Sequence, residues 1–147
     1  MQQFGQFFFN HWDLFLALFV TLAMLVYTSF SARLRGYQEV QPLEAVQLMN
    51  HQEAVMLDVR EDSEYAAGHV QDSIHIPLGK LRERLGELEA YKGRAVVVGC
   101  RSGHRSASAC AMLRKQGFER VYNLRGGILA WENASLPVSR GGKRKKK

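Results

Sequence analysis

From Leu14 to Phe30 the chain runs for seventeen residues without a charge, LFLALFVTLAMLVYTSF, and beyond it apolar and polar residues change over in short blocks. At about 1.5 Å per residue, a helix over roughly 12–31 is just long enough to cross the apolar part of a bilayer. A buried core helix of this length and uniform apolar character would be unusual in so small a domain. Phe7, Phe8 and Phe9 extend the apolar character toward the start, past Asn10, His11 and Asp13. The competing reading is a cleavable leader, because Ser29 to Ala32 (SFSA) places small residues as a cleavage site does. The absence of Lys or Arg before the run, and the run's length, count against it.

After a link through Gly36 and Tyr37, PLEAVQLMN predicts a short helix with Pro42 in its first turn and apolar positions at Leu43, Val46 and Leu48. AVMLDV, ending near Asp58, and AVVVG, ending before Cys100, read as buried parallel strands, apolar on both faces. Between them lie EDSEYAAG, a short helix closed by Gly68, a short strand SIHIP, and KLRERLGELEAY, an amphipathic helix with Leu81, Leu85 and Leu88 on one face. SASACAMLRKQG predicts a helix ended by Gly117, RVYNL a strand, and GGILAWENA a last helix with Trp131 in the core. Alternating strands and helices imply an α/β domain with a mainly parallel sheet, whose sites form at the carboxyl ends of strands. Cys100 falls at such an end.

The 147 residues leave room for one domain of about 100 beside the apolar segment. The expected organisation is an anchor over 1–35, a domain over 36–139 and a basic tail over 140–147. The formal charge of +6 is carried entirely by Arg140, Lys143, Arg144, Lys145, Lys146 and Lys147, so the remainder is neutral. The charge therefore reports a solvated tail, or one drawn to an anionic membrane face, rather than a nucleic-acid surface. Cys100 and Cys110 are the two cysteines, and no Cys or His pair has a zinc-like spacing, so neither a metal nor a disulfide framework is expected.

VVVGCRSGHRSA carries the candidate chemistry. A cysteine between a strand end and a helix start lies where backbone amides converge and the helix dipole is positive, which lowers a thiol pKa. Arg101 and Arg105 add positive charge, and Gly103 gives the loop the backbone freedom to turn its N–H groups inward. A buried thiol used only for packing would not sit among two arginines and His104 without a desolvation cost. Cys110, among Ala107, Ala109, Ala111 and Leu113, reads as core.

LDVREDSEYAAGHVQDSIHIP (57–77), CRSGHRS (100–106) and NLRGGILAWENASLPV (123–138) together resemble the single-domain rhodanese family, over about 100 residues in order. The resemblance implies an α/β rhodanese-like domain with a five-stranded, mainly parallel sheet flanked by helices. It implies that Cys100 takes up sulfane sulfur as a persulfide, from thiosulfate or a related donor. The acceptor would be a thiol, cyanide or a protein. It also implies that Arg101, Ser102, Gly103, His104 and Arg105 form the substrate loop, with Arg101 and Arg105 on the donor's anionic end. Asp58, Arg60 and His69, with Glu64, would brace the loop and strand ends. No cofactor and no metal are implied. Many relatives have an aromatic residue before the cysteine; Gly99 here would open the pocket floor. Cysteine phosphatases and arsenate reductases are the nearest competitors, but their loop sets an arginine six positions after the cysteine. Cys100 to Arg105 is one shorter, with Ser106 in that place.

Arg33 and Arg35 follow the apolar run and nothing basic precedes it, so the positive-inside bias puts the domain in the cytoplasm, on a single-pass anchor in a bacterial cell membrane. Two functions then compete: a tethered sulfurtransferase, and a docking module for a membrane-protein partner with incidental activity.

Overall fold

The computed structural model describes residues 12–34 and 36–141. The basic residues Arg35 and Lys143 to Lys147, and the apolar start through His11, lie outside them. The chain divides into two compact units, meeting between Gly36 and Tyr37. Among the described residues the first holds one helix, α1 (Trp12–Leu34), of 23 residues. Its window Trp12–Ser29 is long and apolar enough to cross a membrane. The hydroxyls of Thr21 and Thr28 donate to the carbonyls of Ala17 (2.7 Å) and Leu25 (3.0 Å), which masks two polar groups inside an apolar surface.

The second unit follows the order β1 (Gln38–Val40), α2 (Pro42–His51), β2 (Val55–Asp58), α3 (Asp62–Ala67), β3 (Ile74–His75), α4 (Leu78–Leu81), a 3-10 helix (Leu85–Tyr91), β4 (Val96–Gly99), α5 (His104–Lys115), β5 (Val121–Leu124) and α6 (Gly127–Asn133). The five strands form one parallel sheet in the order β1-β5-β4-β2-β3. Residues along β4 alternate between two cores. Val96, Val98 and Cys100 join Leu113 of α5 on one face; Val97 joins Ala45 of α2 and Trp131 of α6 on the other. Burial on both faces is why β4 reads as an unbroken valine run.

Four sequence expectations differ from the structure. KLRERLGELEAY is not one α-helix but α4, a turn and a 3-10 helix. A 3-10 helix eclipses residues three apart, so Leu85, Leu88 and Tyr91 form its inward stripe, with Leu88 fully buried. On α2 the inward positions are Pro42 and Ala45, with Val46, Leu48 and Met49 partly buried, and Leu43 is 62% exposed. The edge strand β1 has only Val40 turned inward, too little for an alternation to register in sequence. Gly99, finally, opens no pocket floor: it faces the side of the sheet opposite Cys100. An added Cβ would run into Met56 Cε and lie 3.5 Å from Leu124 Cδ2.

Candidate active site

The chain leaves β4 at Gly99, in the middle of the sheet, and turns through 100–103 into α5. Strand order reverses around β4, so the neighbouring connections diverge to either side and leave a crevice at its carboxyl end. Gly103 caps α5 at φ 100°, in the left-handed region. That turn directs its N–H onto Cys100 Sγ at 3.1 Å. The loop is also held from outside. The carbonyls of Cys100 and Arg101 accept the N–H groups of Ile128 (2.8 Å) and Leu129 (3.2 Å) from α6. Gly127, at φ 62°, lies so close that any Cβ there would meet the carbonyl of Cys100.

Cys100 is fully buried, and burial by itself would raise its pKa. The hydroxyl of Ser106 and the N–H groups of Ser106, Gly103 and Ser102 outweigh burial, and the thiol falls below its ordinary value. The acidity thus comes from the loop amides, as the sequence suggests, and from the Ser106 hydroxyl, which it does not; the arginines are not among its causes. For Cys110, burial pushes the thiol far up, so it stays neutral in the core.

Arg105 leaves the loop and forks onto Glu64 of α3, at 2.7 and 2.8 Å. Its charge is therefore committed within the protein, in contrast to the expectation that it holds a donor's anionic end. The same Glu64 carboxylate accepts the N–H of Glu61 at 3.2 Å, closing the first turn of α3. Arg105 first, and that backbone bond in addition, bring Glu64 from 4.5 down to about 2. A carboxylate lowered on folding stabilises the fold above its unfolded pKa, and that contribution disappears as pH falls through the folded value. The stability gap between the native chain and Glu64→Gln is therefore expected to be constant above about pH 5 and to close between about 4.5 and 2. Unfolding midpoints measured across that range check it; a gap independent of pH would refute the pairing.

Arg101 and Ser102 are exposed, as is His104 at the start of α5. Arg101 borders a cleft of about 190 Å³ walled by Arg60, Glu64, Gly68, Leu129 and Glu132. Among the described residues Arg101 forms no ion pair, so it is the loop's available cation.

Asp58, Arg60 and His69 stand one layer back. Asp58, at the end of β2, is fully buried and takes three bonds from the Arg60 guanidinium at 2.7–3.0 Å, and one from the Arg60 N–H at 3.0 Å. Arg60 also donates to the Gly68 carbonyl at 2.7 Å. His69 donates Nδ1–H to the Tyr65 carbonyl at 2.9 Å, since a carbonyl only accepts. Its ring stacks on Tyr65 at 3.8 Å, and His75 covers the other face at 4.1 Å. The His69 backbone pairs with Ser139 at 2.9 and 2.8 Å. All three tie strand and chain ends together, away from Sγ.

Two site residues carry no clear signal in the sequence. Ser106 Oγ lies 3.4 Å from Cys100 Sγ and donates to Asn123 Oδ1 at 2.6 Å, while Asn123 Nδ2 donates to the Gly103 carbonyl at 3.2 Å. Parallel pairing of Val98 with Asn123 sets the amide beside the loop. In the sequence Ser106 is the last residue of CRSGHRS and stands where a phosphatase loop has its arginine, with no role of its own assigned to it.

Comparison with known proteins fits this geometry. The family profile described as Rhodanese-like domain matches residues 41–134. A sulfurtransferase of Allochromatium vinosum is 42% identical over 91 residues, covering 62% of this chain and 83% of the relative. The thiosulfate sulfurtransferase GlpE of Actinobacillus pleuropneumoniae is 32% identical over 102 residues, 69% of this chain and 93% of its own. The crystal structure of a rhodanese-related protein from Thermoplasma volcanium superposes with a TM-score of 0.63 at 32% identity, over 70% of this chain and 98% of that one. The profile spans β4, the cysteine loop, α5 and α6, and the chain belongs to the rhodanese-like sulfurtransferase family.

Proposed function

We propose that the protein is a membrane-anchored sulfurtransferase that carries sulfane sulfur as a persulfide on Cys100. The carrying observation is the thiol itself: a buried cysteine at the end of the central strand, with Gly103 N–H at 3.1 Å and its pKa lowered by loop amides. The Cys100 thiolate attacks the outer sulfur of thiosulfate; the sulfur–sulfur bond of the donor breaks and sulfite leaves with its electron pair. The inward N–H groups stabilise the charge left on the persulfide. A thiolate, cyanide or a protein thiol then attacks the outer sulfur and Cys100 departs as thiolate. Arg101, unpaired at the cleft, receives the anionic end of the donor. Thiosulfate as donor is supported by the name of the GlpE relative and by the cation at the cleft.

Incubation with thiosulfate followed by intact mass measurement is expected to add one sulfur atom to the native chain and none to Cys100→Ala. No adduct on either would leave the second reading, a docking module beside a membrane partner. We assign α1 as a single-pass anchor in a bacterial cell membrane with the domain on the cytoplasmic side, on the basis of Arg33 and Arg35 following the apolar window. A tag after Lys147 is expected to survive protease in intact spheroplasts and to be lost once the membrane is broken; digestion in intact spheroplasts reverses the topology.

A further inference from the structure

The Ser106 hydroxyl faces two acceptors with a single proton. Ser106 Oγ lies 2.6 Å from Asn123 Oδ1 and 3.4 Å from Cys100 Sγ, yet a hydroxyl carries one hydrogen. The amide orientation is fixed at its far end: Asn123 Nδ2 faces the Gly103 carbonyl, which only accepts. Oδ1 therefore faces Ser106, and it too only accepts. Both residues are at most 3% exposed. With the proton on the 2.6 Å bond, Ser106 turns a lone pair toward Sγ, an arrangement that suits a neutral S–H. When Cys100 ionises, its proton leaves for solvent and the hydroxyl proton has to swing to Sγ. Oγ and Oδ1 are then two acceptors in contact.

We infer that Asn123 is a positioning residue that competes for the Ser106 proton and so keeps Cys100 less acidic than the loop alone would make it. The functional meaning rests on the sulfur-transfer reading, because Cys100 attacks in the first step and must leave in the second. A higher thiol pKa favours attack and a lower one favours departure. Asn123 sets that balance, and by limiting the resting thiolate it slows oxidation of the unloaded sulfur. The other charged and titratable groups around Cys100 are held by partners of their own or lie outside. Arg105 of α5 is forked on Glu64 of α3, Asp58 and Arg60 close on each other after β2, and Cys110 is kept neutral in the core. Arg101 and His104 are exposed.

The test is a pH titration of thiolate ultraviolet absorbance on the full chain in detergent, with Cys100→Ser subtracted. It reads acidity whether or not sulfur is transferred, so the midpoint remains measurable even where no persulfide forms. Asn123→Ala is expected to move the midpoint down by about one pH unit, the worth of one freed hydrogen bond. Asn123→Asp, whose carboxylate binds the hydroxyl proton more strongly, is expected to move it up. In a Ser106→Ala background the alanine shift is expected to vanish. A loop merely loosened by mutation would move both Asn123 variants the same way and would do so without the hydroxyl; that result, or no shift, overturns the inference. Should Asn123→Ala fail to fold, the Asn123→Asp shift decides: it must shrink when Ser106 is alanine, and an undiminished shift overturns the inference.

Discussion

Cys100→Ala is expected to abolish transfer of sulfur from thiosulfate to cyanide, a loss of at least about a thousandfold, whereas Cys110→Ala keeps most of the activity. The two thiols are both fully buried and lie in one core cluster, so burial does not separate them. Their surroundings do. Cys100 meets inward N–H groups and a hydroxyl that outweigh burial, while burial is the largest influence on Cys110 and keeps it protonated. Removing Sγ at position 100 takes away the thiol on which the proposed transfer depends. Removing it at position 110 deletes a small core atom beside Leu113, at a cost of about 1 kcal/mol and no change in the loop. Thiocyanate production by the two variants, each checked for folding by circular dichroism, decides the matter; equal losses would refute the assignment.

Arg60→Met is expected to destabilise the domain by about 3–5 kcal/mol, because it strands the fully buried Asp58 carboxylate without its guanidinium. The same change releases the Gly68 carbonyl, and so the turn that leads to the His69 and Ser139 pairing. A loss of only about 1 kcal/mol in chemical unfolding, the scale of an ordinary exposed pair, would show that the pair is dispensable. The companion double variant Asp58→Leu with Arg60→Met is expected to recover much of the loss, since neither charge is then left alone. Both outcomes are read as stability in chemical unfolding, apart from activity, because Arg60 also walls the cleft beside Arg101.

The strands β2 and β4 are legible in the sequence because a strand covered on both faces is apolar over most of its length, as in Val96 to Val98. Cys100 is legible for a related reason: its position at a strand end, its loop and the following helix are contiguous in sequence. What stays hidden depends on pairs brought together by the sheet. Ser106 meets Asn123 across 17 residues, and Arg105 meets Glu64 across 41. A composition of loop arginines therefore suggests free positive charge where the fold supplies a neutralised pair. The 3-10 segment escapes a periodicity reading because Leu81, Leu85 and Leu88 satisfy a helical spacing, whereas the buried stripe follows a period of three from Leu85 to Tyr91.

The packing of Gly99 against Met56 makes these two positions a unit of fixed total volume. They sit on neighbouring strands and share one slot beneath Leu124. A larger residue before the cysteine requires the flexible end of Met56 to swing aside or a smaller residue at 56, and a shorter side chain at 56 alone leaves a void. Sequences built on this framework should therefore vary at 56 and 99 reciprocally. Exchanges at this slot pass through the back of the sheet, so they can alter how firmly the cysteine strand is seated without changing a single group that faces the sulfur.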